Sequence, residues 1–368
     1  MLKRISFFTA ILAANPAIWA QSPVSIGTFT PTTSRYLLDT KHTFNAAQSQ
    51  AVTFLTYAAG DTTLVGDWNN DGRAKLGVYR NGTFYLDYNG NGIWEPGVDK
   101  LYTFVGNSAG DVPVVGDWNH DGRTKIGVYR QGFWILDLNG NGIWDSTAGD
   151  EFAAFGGAYP GYVPVVGDWN GDGRTKIGYY HNGSWALDYN GSGVSDTGDQ
   201  FTTFGGSAGD IPVVGDWTGN GKSKVGIFRA GFWLLDLNGN GIWDGASGDQ
   251  LTAFGGNAGE APVVGDWNGD GRSKVGVFFG AGNWWLDANG NGKWDGYDVD
   301  FSSTFGTTGD SPVIGKCSIG GPSLPNSLNI NNPGLSRPWW RRHADVDLQL
   351  PRHFRRGQHL IGAGRVYR

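Results

Sequence analysis

Pro113-Val114-Val115-Gly116-Asp117-Trp118-Asn119-His120-Asp121-Gly122-Arg123-Thr124-Lys125-Ile126-Gly127-Val128-Tyr129-Arg130 is one copy of a motif that recurs about every fifty residues. It reads as a short apolar run, a polar loop and a second apolar run. After Gln131-Gly132, a third run follows at Phe133-Trp134-Ile135-Leu136. A second polar loop starts at Asp137, and Glu151-Phe152-Ala153-Ala154-Phe155 makes a fourth run. Four short strands separated by Gly, Asn and Asp turns are what one propeller blade requires. No Gly-poor window carries apolar residues at the three- and four-residue spacing of a helix.

The strand before the first loop recurs with Gly66, Gly116, Gly167, Gly215, Gly265 and Gly315, and the strand after it with Gly27, Gly77, Gly127, Gly178, Gly226 and Gly276, so each occurs six times. The repeat region opens on a second strand, Ile26-Gly27-Thr28-Phe29, and closes on a first strand, Pro312-Val313-Ile314-Gly315. Those ends complement each other. An all-β, six-bladed β-propeller over 26–315 is therefore predicted, with one blade assembled from both ends of the chain. Such pairing closes the ring and removes exposed sheet edges. In the opening unit, Asp39-Thr40-Lys41-His42 stands where the second loop belongs and lacks its Asn/Gly pattern.

Phe254-Gly255-Gly256-Asn257-Ala258-Gly259-Glu260-Ala261-Pro262 followed by Asp266-Trp267-Asn268-Gly269-Asp270-Gly271 resembles the FG-GAP repeat of integrin α-chain propellers and the related VCBS-type bacterial repeats; 204–212 and 155–164 repeat the pattern. The resemblance covers roughly 26–315 and implies a calcium-associated propeller. The fold hosts adhesion, ligand binding and enzymes alike. Integrin-type propellers have seven blades, so six is a departure. In the family's loop an aspartate at the ninth position completes the calcium cage. The first loops here carry Lys75, Lys125, Lys176, Lys224 and Lys274 at that place. An ammonium cannot ligate a metal, but it neutralises the carboxylates at positions one and five. The first loops are thus read as metal-free turns locked by an ion pair, the rival being a weak calcium site completed by backbone oxygens.

The second loops are the better calcium candidates. Their sets are Asp87, Asn89, Asn91 and Glu95; Asp137, Asn139, Asn141 and Asp145; Asp188, Asn190, Ser192 and Asp196; Asp236, Asn238, Asn240 and Asp244; and Asp287, Asn289, Asn291 and Asp295. Hard oxygen donors at alternate positions, with a glycine turn at the sixth, suit a calcium ion. The competing reading is a Gly/Asn turn held by side-chain hydrogen bonds alone. Calcium in these loops is expected to rigidify the blades rather than to do chemistry.

Residues 1–20 read as a signal peptide: Lys3 and Arg4, an apolar run from Ile5 to Ala14, then Ala20 before Gln21. No stretch is long enough for a transmembrane helix, so a secreted, periplasmic or cell-surface location and a monomeric state are expected. The lone Cys317 rules out an intrachain disulfide. The propeller region, 21–316, carries 18 Lys and Arg against 32 Asp and Glu, which favours cations and disfavours nucleic acid. The tail, 317–368, is basic, with 8 Arg and 2 acidic residues, and includes Trp339-Trp340-Arg341-Arg342. It reads as a disordered or out-of-frame extension, or else as a basic anchor for anionic glycans, lipids or nucleic acid.

Trp68, Trp118, Trp169, Trp217 and Trp267 follow the first-loop aspartate, and Trp94, Trp144, Trp243 and Trp294 sit inside the second loop. Regular recurrence assigns both sets to packing between blades. Trp185, Trp284 and Trp285 depart from the pattern and are candidates for sugar stacking. Adjacent Trp284 and Trp285 point to opposite strand faces, so at least one should be partly exposed. No Ser/His/Asp, HExxH or phosphate-loop signature occurs, and the paired carboxylates all fall in repeat loops. The sequence therefore favours a non-catalytic binding or adhesion role for an unidentified protein or glycan ligand, with a carbohydrate-active enzyme or lectin as the alternative.

Overall fold

The computed structural model describes residues 23–156, 161–257 and 259–316. The expected leader, 1–20, and the basic tail, 317–368, lie outside the described residues. The described chain forms six four-stranded antiparallel sheets arranged as a β-propeller. Blade three illustrates the unit: β8 (Val112–Gly116), β9 (Lys125–Arg130), β10 (Phe133–Leu136) and β11 (Glu151–Ala154), paired in sequence order. Blades two, four, five and six occupy 62–102, 163–203, 211–253 and 261–304.

Blade one is built from both ends of the described chain. β24 (Ser311–Gly315) pairs antiparallel with β1 (Ser25–Thr30), which continues into β2 (Arg35–Leu38) and β3 (Gln50–Val52). The register matches Ser25 with Gly315, Gly27 with Val313 and Phe29 with Ser311. This is the closure expected from the complementary ends. The first strands of the six blades adjoin one another in cyclic order, so they line the axis.

The apolar core sits in the seams between blades. One cluster joins Trp118, Trp134 and Phe155 of blade three to Val166, Ile177 and Ala186 of blade four. Another joins Val213, Trp217 and Trp233 of blade five to Val275 and Val277 of blade six. Each first-loop tryptophan folds back on the glycine two residues before it. A Cβ on Gly66 would stand 2.5 Å from the Trp68 ring, so only glycine admits the contact. The indole N–H then donates to the second strand, Trp68 Nε1 to Leu76 O at 3.0 Å and Trp118 Nε1 to Ile126 O at 3.0 Å. Burial without an orphaned donor explains why this position takes tryptophan. Backbone bonds stitch the same seams: Thr124 N–H donates to Asp67 O at 2.8 Å, and Asp67 N–H donates to Thr124 Oγ1 at 3.0 Å. Val24 N–H and Ala74 N–H, donating to Asp266 O and Lys316 O, continue the series through the closing blade.

The first loops are locked by their lysines. The Lys75 ammonium donates to Asp67 Oδ1 at 3.1 Å, Asn69 Oδ1 at 2.6 Å, Asp71 Oδ1 at 2.5 Å and Arg73 O at 3.0 Å. Lys125 makes the same contacts with Asp117, Asn119, Asp121 and Arg123, and Lys176 with Asp168, Asn170, Asp172 and Arg174. Lys274 reaches Asp266, Asp270 and Arg272. In the variant fourth copy of this loop, Lys224 takes Thr218 Oγ1 and Asn220 Oδ1 instead. Oxygens from positions one, three, five and seven thus converge on an ammonium. Burial pushes the Asp71 and Asp172 carboxyls up, but the lysine's hydrogen bond and charge, together with the Arg73 or Arg174 N–H and the Asn69 or Asn170 amide, outweigh it and hold both below their ordinary value.

Two outcomes follow. Val313→Asp places an unpaired charge in the closing strand, where Val313 is 3% exposed; urea unfolding should show a loss of about 3–5 kcal/mol, and a cost under 1 kcal/mol would contradict closure as a main constraint. Lys125→Met leaves Asp117 and Asp121 without their cation and should cost about 3–5 kcal/mol in the same assay. Adding Asp117→Asn to that variant should recover part of the loss.

Candidate functional site

The second loops lie at the seams. Each leaves the third strand of its blade and folds against the outer strand of the preceding one. A Cβ on Gly142, at φ +74°, would meet the Tyr102 ring of blade two at 2.0 Å, so the sixth position is glycine for conformation and for space. The loop tryptophans clamp the seam edge-on: Trp94 meets Phe54 at 5.8 Å, Trp144 meets Phe104 at 6.1 Å and Trp243 meets Phe204 at 6.1 Å between ring centres. The degenerate opening loop does the same with Phe44, stacked on Phe301 at 4.3 Å.

Each loop is wound round its first aspartate. Asp87, Asp137, Asp188, Asp236 and Asp287 are buried, and their Oδ2 atoms accept the N–H of Gly92, Gly142, Gly193, Gly241 and Gly292 at 2.6–3.0 Å. Asp39 performs the same task in the opening unit, accepting from Phe44 N–H at 2.6 Å. The outer acid is tied to the two amides. Asn89, Asn139, Asn190, Asn238 and Asn289 donate Nδ2 to Glu95, Asp145, Asp196, Asp244 and Asp295 at 2.7–2.9 Å. Asn91, Asn141, Asn240 and Asn291 donate to the same acids, and Ser192 Oγ reaches Asp196 at 3.2 Å. The structure therefore brings all five sequence-derived sets together.

A further aspartate closes each loop. Asp150 accepts from Leu138 N–H at 3.2 Å and from Asp145 N–H at 2.6 Å. Asp99, Asp199, Asp249 and Asp300 act alike. These turn-closing acids recur in the sequence in all five loops. Burial pushes the Asp87, Asp137 and Asp287 carboxyls up to about 6, with the glycine N–H bonds opposing it and the nearby Asp99, Asp150 and Asp300 adding to it. Asp188 and Asp236 are raised for the same reason. The exposed acids Asp145, Asp244 and Asp295 go the other way, held down by their asparagine amides.

The contrast with the first loops is chemical. There an ammonium answers the buried aspartate; here the ninth position holds a second acid. The donors are carboxylate, amide and hydroxyl oxygens, the ligand types of a hard cation such as calcium. Among the described residues no three Asp, Glu, His or Cys side chains surround one point. A cation at a second loop would take amide or backbone oxygens alongside its carboxylates.

The sugar-stacking candidates divide. Trp185 and Trp284 are 1% and 0% exposed, and their N–H groups donate to Phe204 O and Phe305 O. Both are core residues, because the face they point to is the blade seam. Trp285, on the opposite face from Trp284, is half-buried as its alternation required. It packs on Trp294 at 5.7 Å and 30°. Trp294 in turn meets Tyr297 at 5.4 Å, and Tyr297 is 80% exposed. Phe279 and Tyr297, which complete this run, were not legible as a group in the sequence.

The opposite face carries a device not expected from the sequence. Arg80 and Asp61 form a two-pronged ion pair at 2.7 and 2.7 Å, and Arg130 with Asp111 forms another at 2.7 and 2.9 Å. Arg229 pairs likewise with Asp210. Its signal was an Arg nineteen residues after an Asp in three repeats. No helix among the described residues is long and apolar enough to cross a membrane.

No protein-family model and no curated protein matches the chain. Among solved structures it is similar to an Agrocybe aegerita lectin that specifically recognises non-reducing terminal N-acetylglucosamine, with a TM-score of 0.50 and 16% identity over 74% of this chain and 75% of that one. At that identity the likeness shows the fold: this chain is a six-bladed β-propeller.

Proposed function

We propose that the protein is an exported, monomeric, calcium-binding propeller of FG-GAP/VCBS type with a non-catalytic binding or adhesion role. One observation carries the reading. Among the described residues the recurring loop carboxylates are committed to turns, to amides, to a lysine or to an arginine, and no acid/base pair stands apart from that pattern. The second loops hold surplus negative charge on one face, with oxygen donors at alternate positions. Calcium there would be bound by Asp137, Asn139, Asn141 and Asp145 and their counterparts, and would stabilise the seams by mass action at extracellular concentrations. A lectin is the second reading, favoured by the half-exposed Trp285–Trp294 pair and by the sugar-recognising propeller to which the fold is similar.

Carboxyls raised in the folded state bind protons more tightly folded than unfolded. Without calcium, these groups make stability fall as pH rises from about 4 to about 6, between their ordinary value and the raised one. The chelated protein should therefore melt lower at pH 7.5 than at pH 5, and millimolar calcium should raise the melting temperature by several degrees at pH 7.5 but little at pH 5. A melt indifferent to calcium at pH 7.5 would reject calcium in the second loops.

Lys125→Asp places an acid at the ninth position of a first loop. Titration calorimetry should then find one more calcium equivalent than in the wild type. Unchanged stoichiometry would remove the support for a lysine standing in a cation's place.

A further inference from the structure

Blade six departs from its siblings at one seam. The run Phe279, Trp285, Trp294 and Tyr297 follows the boundary with blade five, with successive ring centres 5.2, 5.7 and 5.4 Å apart. At the position of Phe279 the other repeats carry Arg80, Arg130, His181 and Arg229, and at that of Trp285 they carry Tyr85, Ile135, Ala186 and Leu234. Where Tyr297 stands, blades three and five have Thr147 and Ala246. Phe279 and Tyr297 are aromatic in blade six alone among these repeats, and Trp285 shares its aromatic character only with Tyr85, which packs on Trp94 at 5.2 Å.

The inner members of the run are fixed. Phe279 and Trp285 pack on the blade-five cluster with Val213, Trp217 and Trp233. Trp294 is held by Trp285 and by Phe254 of blade five at 6.4 Å. The loop that carries it is pinned by Asp287 and Asp300. Tyr297 therefore presents a ring to solvent on a supported platform.

The surroundings decide what that ring is for. Ile93, Ile143, Val194 and Ile242 are exposed at their loop tips, 56–63%, and blade six has Lys293 there. Leu101, Phe152, Phe201 and Leu251 are exposed on the outer strands, and blade six has Ser302. Two of the exposed aliphatic positions of the other blades are thus polar in blade six, where the aromatics are added, while Val299, 43% exposed, stays beside them. A flat ring on a loop that also carries Lys293, Asp295 and Asp298, with Ser302 paired to Trp285, matches a ligand with one C–H face and a hydroxyl rim. Two carboxylates against one ammonium, in an acidic propeller, select against an anionic ligand.

We propose that this shelf, Trp285–Trp294–Tyr297, binds the C–H face of a neutral pyranose, with Asp298 and Lys293 placed to hydrogen-bond its hydroxyls. The inference rests on the non-catalytic binding reading and names its ligand class. Aromatic stacking supplies the contact area and the polar rim the orientation.

Titration calorimetry and tryptophan fluorescence with cellotetraose, chitotetraose and polygalacturonate test it on the full chain. The wild type should bind at least one neutral oligosaccharide, shift its tryptophan emission and not bind the polyanion. Tyr297→Ala should weaken binding at least ten-fold with an unchanged melt, because the side chain is exposed, while Thr147→Ala at the matching site of blade three should not. No binding to either neutral oligosaccharide, equal binding by Tyr297→Ala, or preference for the polyanion overturns the shelf. Hydrolysis of a bound oligosaccharide by the wild type overturns the non-catalytic reading instead and leaves the shelf standing.

Discussion

A buried aspartate carboxylate accepting backbone N–H groups is the interaction on which the rest of this propeller depends. It winds both loops of each full repeat, at Asp117 and Asp137 in blade three, and persists as Asp39 in the opening unit where the Asn/Gly pattern has gone. Short strands of three to six residues cannot fix the angle of their own connections. A carboxylate that satisfies two or three N–H donors does so, and hands the chain to the next strand in a set direction. Loop geometry then aims the tryptophans: the first-loop indole onto its own glycine, the second-loop indole onto the neighbouring blade.

Burying that charge raises a problem which the two loops solve differently. In the first, a lysine from the next strand enters the loop and takes four oxygens, so the charge is balanced within the blade. In the second, the ninth residue is an acid held by asparagine amides, and the buried carboxyls rise towards neutrality. One turn design thus yields an internally neutral strut and an electronegative loop. The struts secure adjacent strands near the axis, and the electronegative loops face the seams. The two roles are thus separated, and the loops with uncompensated acids are the ones that fold against the preceding blade.

Repetition also gives function a background against which to stand out. Four blades carry the aliphatic loop tip, and three the arginine clamp on the far face. Blade six gives up both, with Lys293 in place of the aliphatic and Phe279 in place of the arginine, and gains aromatic surface in return. Its Glu260, which has no arginine opposite, keeps the turn bond that Asp210 also makes, accepting from Gly256 N–H, and adds Asn257 Nδ2. A blade that is freed from one structural duty can be reshaped without breaking the ring, because closure is made elsewhere, between β1 and β24.

The sequence by itself determined the blade count, the strand boundaries of blade three to within a residue or two, and the pairing of the two ends. These are local or periodic properties: turn residues punctuate strands, and an unmatched half-repeat at each end has one partner. It also separated lysine-bearing from acid-bearing loops, because charge at a fixed loop position is local. Tertiary structure alone decided which tryptophans are core and which form a surface. Trp284 and Trp285 are neighbours with identical side chains, yet one is enclosed in the seam with blade one and the other, half-buried at the seam with blade five, joins Trp294 and the exposed Tyr297. That difference depends on what the adjacent blade places opposite each strand face. The clamp of Arg80 on Asp61 was hidden for a similar reason: the two residues are far apart along the chain and meet only once the strands between them have paired.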